Sequence, residues 1–188
     1  MVGIGLGAAS LGIILWVDLI SLKGIRFAKP LLWLAATAVF VLAVVLTVRS
    51  SPRIPLPPLL PVLGYVLAGL FFLLLVWSLF IEIPFLSAYV ESRGSRRLVT
   101  SGTYALCRHP GVLWLGGLIA GMFLASGALL LAPAFLVWIG LDFLLVYLQE
   151  RLFFLRLFGP DYRKYQREVP MVIPTLGSLQ RCIHTLRR

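Results

Sequence analysis

The sequence predicts an all-α integral membrane protein: a helical bundle of about five transmembrane helices, the last two a helical hairpin, with a short cytoplasmic C-terminal helical segment. Three observations predict it. The 188 residues are 60% hydrophobic with a mean hydropathy of +0.98, whereas soluble domains are nearer half apolar. The apolar residues fall in runs long enough to consider as spans, since ~20 residues cross a ~30 Å hydrocarbon core. The polar residues gather in the loops and in one C-terminal stretch.

The first helix is expected over Gly3–Ile20 and the second over Leu31–Val48. The first starts almost at Met1 without a basic leader or a cleavage site, so a retained helix is expected. Residues 49–61, RSSPRIPLPPLLP, follow as an extended connector, because proline excludes helix interiors. The third helix is expected over Leu59–Ile81, with Glu82 and Pro84 at its inner end. The fourth, Val112–Ala125, is too short to span comfortably. Ser126-Gly127 turns the chain directly into the fifth, Ala128–Leu148, which makes the hairpin. Gly159-Pro160 stops the continuation of that helix, and Asp161–Glu168 is expected as a short amphipathic helix. The chain reads as one membrane domain over 1–188. Residues 1–90 carry three helices, 91–174 a motif region and 175–188 a basic tail.

Charge orients these helices. Of the 17 Lys and Arg, all but Arg49 and Arg53 fall on one side of a five-span chain. The positive-inside rule then places the N-terminus outside and the C-terminus in the cytoplasm. The net charge of +10 suits membrane lipids with anionic headgroups. No basic face with interleaved aromatics points to nucleic acid. Cys107 and Cys182 both fall on the cytoplasmic side, where a disulfide is not expected. With two His they are too scattered to make a metal site.

The chemistry concentrates in Leu98–Gly117, LVTSGTYALCRHPGVLWLGG. An Arg108-His109 pair beside lipid is costly to place. Pro110 suits a helix start, and a helix start favours an anion. Basic residues also anchor helix ends at headgroups, so the pair alone is ambiguous. Acids sit in or at the ends of apolar helices at Asp18, Asp142 and Glu150. Asp18 is expected to cap its helix end. Asp142 is either a functional acid or a hydrogen-bonding one, and Glu150 either pairs with Arg151 or Arg108 or serves a site. Gly117–Gly121 is a GxxxG packing motif, and Gly3, Gly5, Gly7 and Gly12 read the same way.

Two ordered phrases resemble the isoprenylcysteine carboxyl methyltransferase family, within a broader group that includes phospholipid N-methyltransferases. Leu98-Val99-Thr100-Ser101-Gly102, Tyr104 and Arg108-His109-Pro110 match the first phrase. Glu150, Phe158-Gly159, Tyr162, Tyr165, Val169-Pro170 and Pro174 match the second at the same spacing. The resemblance covers Leu98–Pro174. It implies an S-adenosylmethionine-dependent methyltransferase whose lipophilic acceptor enters from the bilayer. It implies cofactor contacts from Leu98, Val99, Tyr104, His109, Pro110, Gly111 and Glu150, and catalytic roles for Arg108, His109 and Glu150. Arg108 and the following helix start are expected to hold the cofactor carboxylate, and Glu150 its ribose or amino group. The family tyrosine falls on Val112, the following glycine on Trp114 and the second tail acid on Arg151. No arginine stands in Leu144-Leu145-Val146. The cofactor half of the pattern is thus better matched than the acceptor half. A phospholipid or other small lipophilic N- or S-methyltransferase, a sterol-type NADPH reductase and a non-catalytic membrane protein remain alternatives.

Overall fold

A computed structural model describes residues 1–21, 28–82 and 98–186. Every named element is a helix: α1 (Val2–Ser21), α2 (Ala28–Arg49), α3 (Leu59–Val76), α4 (Thr103–Leu106), α5 (Pro110–Ser126), α6 (Leu131–Gln149), α7 (Leu155–Glu168) and α8 (Leu176–Leu186). A π-helical turn, Trp77–Glu82, extends α3, and another, Glu150–Phe154, joins α6 to α7. The protein is therefore an all-α membrane protein. Three stretches among the described residues are long and apolar enough to cross a bilayer: Leu31–Arg49, Leu59–Glu82 and Leu131–Glu168. Val2–Val17 and Pro110–Ser126 are shorter apolar helices. The expected roles of Asp18 as a cap and of Pro84 as a helix end lie outside the described side chains and residues, as does the loop at 91–97.

The chain divides into two compact units. The first comprises Met1–Leu70 and Gly116–Leu145. Its packing follows from small residues, because apolar helices in lipid associate through close backbone approach and not through water exclusion. A side chain at Gly3 would meet the Ala43 carbonyl oxygen and Thr47 nitrogen at 2.8 Å, and one at Gly7 would strike the Trp138 indole. Trp138 is fully buried; its Nε1 donates to the Ile4 carbonyl at 3.0 Å and its ring meets Phe40 edge-on at 5.0 Å. Gly121 approaches the Ala68 backbone, and Gly64 that of Leu124 and Ala125. Gly5 and Gly12 face open space, so the packing expected of the glycines in α1 holds only for Gly3 and Gly7.

The expected hairpin turn and proline connector are joined. Gly127 adopts φ +63°, where a side chain would press on the Ile54 carbonyl at 2.6 Å. Its own carbonyl accepts from Ile54 N (3.0 Å), and Leu129 N donates to the Pro52 carbonyl (3.0 Å). These bonds satisfy backbone groups that the prolines keep out of helices.

The second unit comprises Phe71–Leu115 and Val146–Arg188. Gly159, at φ 53°, breaks α7, and helix resumes at Pro160 as its sequence predicts. The stretch 175–188, read from sequence as a basic tail, forms α8 as far as Leu186. Thr175 starts it: Ser178 N donates to Thr175 Oγ1 (3.2 Å) and Thr175 N donates to Ser178 Oγ (2.9 Å). This reciprocal pairing satisfies helix-start donors.

Candidate functional site

Both sequence phrases lie in the second unit, and their charged residues meet there. Arg108 donates from Nε to Glu150 Oε1 at 2.7 Å and from Nη2 to Oε2 at 3.1 Å. Glu150 opens the π-helical turn after α6, with only 5% of its surface exposed. Its carboxylate also accepts from Tyr162 Oη (3.0 Å) and Gln166 Nε2 (2.7 Å). His109 Nε2 lies 2.9 Å from Oε1. A carboxylate paired with arginine accepts, so this ring nitrogen carries the proton and donates.

The carboxylate thus takes five donors on about four lone-pair sites, so its acceptor capacity is met within the chain. Arg108 is equally committed. Its Nη1 donates to the carbonyls of Gln166 (3.1 Å) and Val169 (2.6 Å) at the end of α7, as cations at helix C-termini favour. Arg108 and Glu150 bind each other, the pairing that the sequence offered beside a site role for Glu150. Arg151, the alternative partner for Glu150, lies over the Tyr147 ring at 5.4 Å.

The backbone reinforces this lock. Arg108 N donates to the Pro170 carbonyl (2.9 Å) and His109 N to that of Met171 (3.0 Å). The Arg-His-Pro phrase therefore lies along the Val-Pro phrase, and Pro110 follows as the buried first residue of α5. Tyr165 Oη donates to the Tyr104 carbonyl at 2.6 Å, and Tyr104 Oη to that of Ser78 at 3.1 Å. Tyr162, Tyr165 and Val169 form an apolar cluster with Leu98, Phe154, Leu155 and Phe158. The His109 ring stacks over Phe154 at 6.0 Å.

Of the residues singled out in the sequence, Arg108, His109 and Glu150 touch directly. Tyr104 and Leu98 join through the tyrosines. Gly111 faces Leu75 and Leu79 at ordinary contact distance, and Val99 is half-buried outside the cluster. Asp142 belongs to the first unit and has no hydrogen-bond partner among the described residues.

Three contributors were not legible in the sequence. Gln166 follows Tyr162 by one helical turn, a spacing that signals a shared face. Glu82 accepts from Thr103 N with both oxygens, at 2.9 and 3.0 Å, and from Thr103 Oγ1 and Trp77 Nε1. Gly102 precedes at φ 60°, ψ −133°, where any side chain would strike the Glu82 carboxylate. Its N–H donates to Thr185 Oγ1 of α8 at 3.0 Å. Glu82, Gly102 and Thr185 thus fix the turn that delivers Arg108.

A cleft of about 930 Å³ adjoins the tyrosine cluster. Leu98 and Phe158 give it an apolar wall, Lys164 and Arg181 its cations, and Asp161 and Glu168 its acids. Burial pushes the Cys107 thiol up to about 12, so it stays protonated and unreactive. No group of three His, Cys, Asp or Glu among the described residues could hold a metal ion. Trp114 Nε1 is the one buried side-chain polar atom among the described residues without a hydrogen-bond partner.

Fold and site together define a membrane protein with a buried, hydrogen-bond-saturated ionic lock beside an open cleft. No family model matches the chain, and no solved structure matches it. The chain is similar to a cobalt-zinc-cadmium resistance protein, CzcN, of Cupriavidus metallidurans, with 34% identity over 94 residues. That match covers 47% of this chain and 41% of the relative, so it spans less than half of either.

Proposed function

We propose that the protein is a multi-pass membrane methyltransferase that uses S-adenosylmethionine to methylate a lipophilic acceptor arriving from the bilayer. One observation carries the reading. The two phrases that resemble methyltransferases are joined by the Arg108–Glu150–His109 lock, across 42 and 41 positions of sequence. A chance likeness in two separate phrases gives no reason for their charged residues to meet.

The donor set of the adjoining cleft fits the cofactor. Leu98 and Phe158 suit an adenine ring, Asp161 and Glu168 a ribose diol or an ammonium, and Lys164 and Arg181 a carboxylate. When bound, S-adenosylmethionine supplies a methyl group on a positively charged sulfur. The chain's own residues align the reactants and exclude water, which is what such a displacement asks of a protein. Arg108 and Glu150 act in this reading as positioning residues that hold Tyr162, Gln166 and His109 in place. The excess of Lys and Arg beyond Arg53 supports an N-terminus outside and the site on the cytoplasmic side.

The test is a titration of purified protein with S-adenosylmethionine, S-adenosylhomocysteine and NADPH, read as thermal stability. A ligand that binds only the folded state raises stability by mass action, ~2.7 kcal/mol at a hundredfold excess over Kd. Stabilisation by both adenosyl compounds supports the proposal. Stabilisation by NADPH alone replaces it with a reductase, and no stabilisation by any of the three overturns it.

A further inference from the structure

Helix α8 carries three distinct faces. Ser178, Cys182 and Thr185 face inward, and Thr185 Oγ1 accepts the Gly102 N–H. Gln180, Arg181 and His184 line the cleft. The third face is apolar and uncovered: Leu176 is 83% exposed, Leu179 46%, Ile183 46% and Leu186 60%. At 3.6 residues per turn these four fall within an arc of about 80°, and Ile173 just before the helix is 79% exposed.

We infer that α8 is an in-plane membrane-binding helix, which lays Leu176, Leu179, Ile183 and Leu186 into the headgroup–acyl boundary of an anionic bilayer. Two observations select the bilayer as the occupant. The chain already carries spanning helices, so a lipid surface is always at hand. The flanking charge is strongly positive: Arg156, Arg163, Lys164, Arg167, Arg181, Arg187 and Arg188 stand against Asp161 and Glu168. A short helix with one aliphatic face, Arg181 on its polar side and Arg187 and Arg188 directly after it has the composition of an interfacial helix, and each cation near an anionic surface adds to binding. Because the inward face holds Gly102, lipid docking of α8 bears on the turn that leads to Arg108. The inference rests on the membrane fold and not on methyl transfer.

The full chain, in nanodiscs of phosphatidylcholine with or without phosphatidylglycerol, provides the test. Ile183→Cys and Gln180→Cys are labelled with an environment-sensitive fluorophore; the native thiols of Cys107 and Cys182 are buried. The label at 183 is expected to be quenched several-fold more by shallow doxyl lipids than the label at 180, and the contrast to grow with phosphatidylglycerol. Equal quenching at both positions by aqueous iodide overturns the inference. So does protection at 183 that depends on protein concentration and not on lipid, which indicates a second copy. Should a labelled variant fail to fold, amide exchange in the unaltered chain decides. Slower exchange over 176–186 with the anionic lipid supports docking, and identical exchange in both nanodiscs overturns it.

Discussion

Arg108 grips both oxygens of Glu150, at 2.7 and 3.1 Å, with side chains 9% and 6% exposed. A buried pair contributes little net stability against an apolar isostere, but breaking one side leaves a charge without compensation. Arg108→Ala is therefore expected to destabilise by ~3–5 kcal/mol, and Glu150→Gln by a similar amount. The double variant Arg108→Ala/Glu150→Gln should lose much less than the sum of the two singles. Thermal unfolding in detergent checks this. Additive losses would show that the pair is not coupled.

Cofactor binding tests the lock separately. Under the proposed function, Glu150→Gln and His109→Ala are expected to bind S-adenosylmethionine far more weakly than the unaltered chain, because Tyr162 and Phe154 lose their anchors. Unchanged affinity in both, measured by isothermal titration, would detach the lock from the cofactor.

Gly102→Ala should be severe. The alanine must adopt φ 60°, ψ −133° and displace the Glu82 carboxylate from Thr103. Backbone strain alone costs ~1–3 kcal/mol, and the lost cap adds to it. Gly177→Ala, at a helical site with open space around it, is the control and should be stabilising by up to ~1 kcal/mol.

Trp114→Phe should be tolerated, in contrast to most core changes. It removes a buried N–H that has no partner, and such a group costs ~1–3 kcal/mol to leave unpaired. Stability, read as thermal unfolding, is expected to hold or rise. A fall in stability of the size expected for an aromatic truncation would assign Trp114 to packing.

Cys107 and Cys182 should resist alkylation at mildly alkaline pH. Burial raises both thiols, Cys107 to about 12, and only the thiolate reacts. Mass spectrometry of iodoacetamide-treated protein should find both free until the protein unfolds. Rapid modification of the folded protein would show that the second unit opens.

What the sequence by itself determined is what local chemistry and hydropathy dictate. Long apolar runs must close their own hydrogen bonds in lipid, so the helices, the Ser126-Gly127 turn, the break at Gly159-Pro160 and the Pro110 helix start were all readable. The two motif phrases were readable too, as strings. Only the tertiary structure decided what their charges do. For Glu150 the sequence left three readings open: a pair with Arg108, a pair with Arg151, or a site role. The fold pairs it with Arg108 because a buried charge is stable only beside its opposite. Glu82, Gln166 and Thr185 escaped notice for a related reason: each is an ordinary polar residue until a distant backbone group comes within 3.0 Å of it or, for Gln166, until Glu150 does. The helix α8 does carry a helical apolar period at Leu176, Leu179, Ile183 and Leu186, but Arg181, Arg187 and Arg188 make the same stretch read as a basic tail. Its three faces exist only once Thr185 is turned toward Gly102.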